Sequence, residues 1–124
     1  MHITVAIPVY NRAHLVGKTI ESVLAQDSQD FDLIVVDDAS CDGTLEVVRH
    51  YCGMDPRIRV FQNKQNLGLT LNWNHCLELA QGPLVQVLLS DDLIDPDSLG
   101  LVCTVFTIHP IVEMVPASCR NIVA

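Results

Sequence analysis

Apolar positions along the chain alternate between two regimes, short β-branched runs and longer stretches with helical spacing. Four runs, Ile3 to Val9, Phe31 to Val36, Ile58 to Phe61 and Leu84 to Leu89, are bounded by turn formers and predict strands. They start at residues 3, 31, 58 and 84, intervals of 28, 27 and 26, close to the length of a strand, a crossover helix and a return loop. Leu33-Ile34-Val35-Val36 and Leu84-Val85-Gln86-Val87-Leu88-Leu89 are nearly continuous rather than alternating, as parallel strands covered on both faces require. Between the runs the period becomes helical. Val16, Ile20, Val23 and Leu24 form one stripe, Leu45, Val48 and Cys52 a second, and Leu69, Trp73, Cys76, Leu77 and Ala80 a third. A fourth helix is expected from Asp95-Pro96, with Asp as cap and Pro in the first turn, carrying Leu99, Val102, Cys103 and Phe106 and stopping at His109-Pro110. Ile111 to Val115 offers a fifth strand, and Ala117 to Ala124 has no clear period. The pattern predicts an α/β domain of three layers, α/β/α, around a mostly parallel central sheet.

Composition narrows what such a domain does. At 124 residues there is room for one domain, residues 1–124, and 49% apolar residues with a mean hydropathy of +0.31 supply its core. The net charge of −8 would repel a polyphosphate backbone, which argues against a nucleic-acid partner. The uncharged stretch Leu99 to Ile108 is about half of the roughly 20 residues a spanning helix needs, so no membrane span is expected. Met1-His2-Ile3 lacks the basic start of a signal peptide, and five cysteines without a Cys-x-x-Cys pair fit a reducing, cytoplasmic setting. Cys52, Cys76 and Cys103, like Trp73, sit on helical stripes and read as core residues. The histidines form no i, i+4 pair that would hold a metal.

The acids are placed more tellingly. Val35-Val36-Asp37-Asp38 ends the second strand and Leu88-Leu89-Ser90-Asp91-Asp92 the fourth, so both carboxylate pairs are expected at one edge of the sheet, where open α/β sheets bind ligands. Tyr10-Asn11-Arg12 opens onto the same edge. Asp37-Asp38, Asp42-Gly43 and Asp95 can each also be turn or cap residues. Four carboxylates converging on one crevice would repel one another, and a divalent cation would relieve that; oxygen donors select Mg²⁺ or Mn²⁺. The crevice is short of cations, since Lys18 and Lys64 are the only lysines, and neither a phosphate-cradling Gly-x-x-x-x-Gly-Lys loop nor a Gly-x-Gly-x-x-Gly turn is present. A diphosphate bound here would need its charge met by a carboxylate-held metal.

Ile7-Pro8-Val9-Tyr10-Asn11-Arg12, Val35-Val36-Asp37-Asp38-Ala39-Ser40-Cys41-Asp42-Gly43-Thr44, Asn66-Leu67-Gly68 with Asn74, and Leu88-Leu89-Ser90-Asp91-Asp92 together resemble the family 2 glycosyltransferases of GT-A fold, over residues 3 to 115 and in the right order. The resemblance implies a nucleotide-sugar site. Pro8 and Tyr10 would line the base pocket, in a segment that includes Asn11, and Asp38 would accept a hydrogen bond from the base, most often uracil. Asp91 would contact the ribose or sugar and Asp92 would ligate the metal. Asn66, Gly68 and Asn74 would approach the donor from the side. Two positions depart from the family pattern: Leu89 stands where a further Asp is common, and Trp73 where many members carry Arg. Members also continue for a hundred residues or more into an acceptor-binding half that supplies the general base. The chain therefore reads as a donor domain lacking that half, with no catalytic residue assigned; Glu113 is the only acid in residues 111–124. The acceptor implied is a sugar, a lipid-linked sugar or a protein, in the manner of polysaccharide biosynthesis. Two other readings stand beside this one: a phospho-acceptor signalling module of similar length, and a catalytically silent remnant that forms a homodimer through apolar surface.

Overall fold

All seven residues of the first strand, β1 (Ile3–Val9), are buried, which places it at the centre of the molecule. The computed structural model describes residues 2–109 and 120–121. Around β1 are α1 (Val16–Leu24), β2 (Phe31–Asp37), α2 (Thr44–Met54), β3 (Ile58–Gln62), α3 (Leu69–Leu79), β4 (Leu84–Val87), β5 (Asp92–Leu93), α4 (Ser98–Ile108) and β6 (Arg120–Asn121). The first four strands form one sheet in the order β3-β2-β1-β4, every pair parallel. β5 and β6 make a short antiparallel pair, Asp92 opposite Asn121 and Leu93 opposite Arg120. That pair has no signal in the sequence pattern, because two residues are too few to show a period.

The two faces of the sheet are covered separately, so the three layers expected from the near-continuous strands are present. Ile3, Val5, Ile7 and Val9 of β1 meet Val16, Ile20 and Val23 of α1, Val48 of α2 and Leu99 of α4 in one core. Ala6, Ile34 and Val36 on the opposite face meet Cys76 of α3 in a smaller one, joined by Phe61 and Leu79. Cys76 is fully buried, and burial pushes its thiol up to about 12; Cys52 and Cys103 pack partly buried against the larger core. The sheet order also separates two of the readings above. Phospho-acceptor domains follow the flavodoxin-like order 2-1-3-4-5, whereas 3-2-1-4 is the order of a nucleotide-binding doubly wound sheet.

Three expectations need correction. The strand expected over Leu84 to Leu89 leaves the ladder after Val87; Leu88 N–H still donates to the Ala6 carbonyl, and Leu89 then turns out of the sheet. α4 begins at Ser98 behind Asp97, after Ser98 N–H closes a turn onto the Asp95 carbonyl. The largest correction concerns α3, where Leu69 and Trp73 are 67% and 37% exposed and Leu77 is exposed as well, against the expectation that Trp73 packs in the core. α3 instead turns Asn72 and Cys76 inward, because the Asn72 amide donates to the Val36 carbonyl and the Cys76 thiol fits among Ala6, Ile34 and Val36. The strand anticipated at Ile111 to Val115, with Glu113, and the side chain of Cys119 lie outside the described residues.

At the far end of the sheet, both ring nitrogens of His2 meet carboxylates, Nδ1 at 2.8 Å from Asp30 and Nε2 at 2.7 Å from Asp32. Only the imidazolium can donate from both nitrogens, so the bonds to Asp30 and then Asp32 raise the pKa of His2 above its usual 6.5. A raised folded-state pKa gives stability that is complete below about pH 6.5 and lost as pH climbs through the folded value. Thermal melts between pH 5.5 and 9 should therefore show the wild-type chain losing more of its midpoint on the alkaline side than His2→Gln does. Parallel curves would mean that the two carboxylates do not hold the proton.

Candidate functional site

In a doubly wound sheet the ligand crevice opens outside the carboxyl ends of the strands, where connections diverge to opposite faces. Here that point lies between β1 and β4, and a pocket of about 380 Å³ opens there. Pro8, Val9, Tyr10 and Arg12 line it from the end of β1, Leu89, Ser90 and Asp91 from the end of β4, and Asp38, Asn66, Gly68, Leu69 and Asn72 from the side of β2 and α3. Tyr10 is 42% exposed, an aromatic side chain at the pocket that is not packed away in the core.

The loops behind the pocket show why these residue types occur. Asn11 has φ +50° and Ala39 φ +60°, both left-handed. Asn11 tolerates this and ties two loops together, its N–H donating to the Ser40 hydroxyl at 2.9 Å and its Oδ1 accepting from Cys41 N–H at 2.8 Å. Asp37 is fully buried and accepts from the N–H and hydroxyl of Ser40. Asp42 accepts from Thr44 N–H, the Thr44 hydroxyl and Ala13 N–H; burial alone would raise its pKa, but these bonds outweigh that and hold it below the usual range. Asp37 and Asp42 are thus loop-building residues, and of the four carboxylates expected to converge, Asp38 and Asp91 line the pocket while Asp92 is buried next to Asp91 on β5. Ala39, by contrast, has no side chain to stabilise its left-handed backbone. Ala39→Gly should raise stability by up to about 1 kcal/mol, the steric relief of about 1–2 kcal/mol being partly offset by glycine's greater freedom when unfolded. A denaturant midpoint that falls would show that the strain is absent.

Asp38 is only 2% exposed although it lines the pocket. Its Oδ1 accepts from Leu67 N–H at 2.7 Å and from Asn63 Nδ2 at 2.9 Å, and its Oδ2 from Gly68 N–H at 3.0 Å. Gly68 has φ +88°, a backbone that glycine alone adopts readily, and this turn both starts α3 and aims two N–H groups at Asp38. Asn66 closes the same turn, Nδ2 donating to the Asp38 carbonyl and Oδ1 accepting from Gly68 N–H. Behind Asp38, Asn63 also donates to Asn72 Oδ1 at 2.9 Å and its own Oδ1 lies 3.0 Å from His75 Nδ1.

Of the residues singled out in the sequence, the fold brings Pro8, Tyr10, Asp38, Asn66, Gly68 and Asp91 to one pocket. Asn11 stands behind it as a loop tie, Asn74 is exposed on α3 outside its lining, and Asp92 is 7% exposed on β5, immediately after the lining residue Asp91. The crevice is also less poor in cations than the lysine count suggested, because Arg12 lines it. Asn63, Asn72 and His75 were missed; a polar residue directly after β3, at the edge that carries Asp38, was the available signal. Among the described residues no group of three or more His, Cys, Asp or Glu is arranged to hold a metal by protein ligands alone. No helix among them is long and apolar enough to cross a membrane.

Residues 4–112 match the family described as glycosyl transferase family 2. The chain belongs to that family. Relatives of this glycosyltransferase domain include chondroitin synthase of Pasteurella multocida, 31% identical over 120 residues that make up 97% of this chain and 12% of that protein. Among solved structures, residues 1–349 of Staphylococcus aureus TarS in complex with UDP-GlcNAc superpose with a TM-score of 0.81 at 28% identity, over 94% of this chain and 37% of that one. A mannosyltransferase from Pyrobaculum calidifontis in complex with GDP-mannose and Mn²⁺ gives 0.77 at 28% identity, over 84% and 32%. The fold is thus that of the GT-A glycosyltransferases. The domain spans between 12% and 39% of the length of the curated relatives it matches.

Proposed function

We propose that the pocket is the donor site of a glycosyltransferase, binding a nucleotide-diphosphate sugar, with a UDP-sugar favoured, for transfer of the glycosyl group to an acceptor. The observation that carries this reading is the pocket's position and lining: Tyr10 and Asp38 at the β1–β2 end, Asp91 at the β4 end, at the switch point of the sheet. In this arrangement Tyr10 offers a face to the base and Asp38 an acceptor to its ring N–H. Arg12 lies exposed at the rim and offers positive charge to the diphosphate. The solved neighbours contain UDP-GlcNAc and GDP-mannose, which supports the ligand class.

A cation fits this donor set. Mg²⁺ and Mn²⁺ are commonly held by one or two carboxylates plus substrate phosphates, so a full protein cage is not required. The adjacent Asp91 and Asp92 are the residues that would hold it, Asp92 being the ligand the family resemblance implies. When bound, the cation neutralises charge on the departing diphosphate. The chain's own residues orient the donor, and the group that removes the acceptor's proton is not assigned to any described residue.

Thermal melts test this reading. UDP or GDP with Mn²⁺, at about 100 times the dissociation constant, should stabilise the chain by about 2.7 kcal/mol. No shift with UDP, GDP or TDP in the presence of metal would refute it.

A further inference from the structure

Every amide in the network behind Asp38 has one permitted orientation. The Val36 carbonyl can only accept, so the group of Asn72 that meets it at 3.1 Å is the NH₂, and Asn72 Oδ1 is left as an acceptor. Asn63 faces that oxygen and Asp38 Oδ1, two acceptors, so Asn63 presents its NH₂ to both and spends both hydrogens there. Its Oδ1 must then accept, which makes His75 Nδ1 a protonated donor at 3.0 Å. Asn63 and Asn72 are buried and His75 is half-buried, so the chain of bonds runs from the core to the edge of α3 with a fixed polarity.

The terminus of this chain is the carboxylate in the pocket. Each carboxylate oxygen has two acceptor directions; Oδ1 uses both, on Leu67 N–H and Asn63 Nδ2, and Oδ2 uses one, on Gly68 N–H. One direction on Oδ2 remains. Leu67 N–H and Gly68 N–H hold one carboxylate oxygen each from a half-buried turn, and Asn63, buried and held on both sides by its own partners, is the side-chain donor that anchors Oδ1 from the core.

We propose that Asn63 is a positioning residue for nucleobase selection, its amide locked by Asn72 and His75 so that Asp38 holds one acceptor toward a base carrying a ring N–H. This rests on the donor-site reading above and deepens it. Uracil, thymine and guanine carry that N–H. Cytosine has a lone pair at the same ring position, which a fixed carboxylate repels. With Asn63 gone, only the turn's two N–H groups would hold Asp38, and a carboxylate able to shift with that turn would give way to cytosine and lose the discrimination.

The test is titration calorimetry of the 124-residue chain with UDP and with CDP in Mn²⁺, a pair that differs only at the edge read by Asp38. The wild-type chain should bind UDP at least about tenfold more tightly than CDP, the effect of one hydrogen bond to a charged group. Asn63→Ala should weaken UDP about tenfold and CDP less than about twofold, so the preference collapses. A residue that merely supports the fold would lower both affinities together and leave the ratio intact, and that result overturns the proposal. His75→Ala removes only the outermost donor from a half-buried position and serves where Asn63→Ala fails to fold. It should lower the UDP-to-CDP preference about two- to threefold, and an unchanged preference counts against the proposal. Wild-type chain that binds neither nucleotide nor GDP refutes the donor-site reading and this inference with it. UDP binding with a preference insensitive to both substitutions removes this inference alone.

Discussion

Asp38→Ala should destabilise the chain by about 3–5 kcal/mol and abolish nucleotide binding, the largest single-residue effect expected of the molecule. The substitution removes one partner from three donors at once: Leu67 N–H, Gly68 N–H and Asn63 Nδ2. An orphaned buried donor costs about 1–3 kcal/mol, and the turn at Asn66 to Gly68 has enough access to solvent to recover part of that, which sets the range. Against a typical total stability of about 5–15 kcal/mol this leaves a marginal fold. Asp38→Asn separates the two consequences. It keeps the shape and one oxygen, so Leu67 and Asn63 can still be met, but its NH₂ opposes Gly68 N–H and presents a donor where the base would bring its own. Equilibrium denaturation should show a smaller loss for Asn than for Ala, and calorimetry should show loss of UDP binding in both. Equal stability of Asp38→Ala and the wild-type chain would mean that the carboxylate does not hold the turn.

The contrast between Asp37 and Asp38 shows how far the sequence can be read. Both follow four apolar residues at the end of a strand, and nothing in composition or spacing distinguishes them. Strand alternation places them on opposite faces of the sheet. Asp37 meets the Ser40 backbone and hydroxyl, while Asp38 meets the turn after β3 and the pocket. The strands were legible because burial on both faces leaves near-continuous apolar runs, and the switch-point pocket follows from their order. The extent of α3 and the burial of Cys76 were legible as well, but the rotation of α3 was not, for the complementary reason. Its most regular apolar series, Leu69, Trp73 and Leu77, is exposed, and the inward residue Asn72 is polar; a hydrogen bond to a main-chain carbonyl decides the helix's rotation there, and hydrophobic periodicity has no term for such a bond. The same holds for Asn63, whose role depends on partners 9 and 25 residues away in sequence.

The cation supplies the second large effect. Leu89 lines the pocket where a further carboxylate is common in this family, so the chain offers fewer oxygens to a cation than a fully acidic motif would. With only one or two carboxylates to offer, the chain holds such a cation weakly until the substrate's phosphate oxygens join the ligand set. Mn²⁺ alone should therefore leave the melting midpoint almost unmoved, UDP alone should raise it modestly, and the two together should raise it by more than their sum. That cooperative increment is the signature to follow in variants. Asp91→Ala removes the carboxylate that reaches the pocket and should eliminate the increment while leaving part of the UDP-only shift, since Tyr10 and Asp38 remain. Asp92→Ala should eliminate it as well if both carboxylates serve the cation as proposed. Its buried position on β5, beside the pairing with Asn121, adds a cost to the fold that a melt without ligand measures separately. An increment that persists in Asp92→Ala and vanishes in Asp91→Ala assigns the cation to Asp91 alone. One that persists in both places it elsewhere, because no other carboxylate among the described residues shares that wall of the pocket.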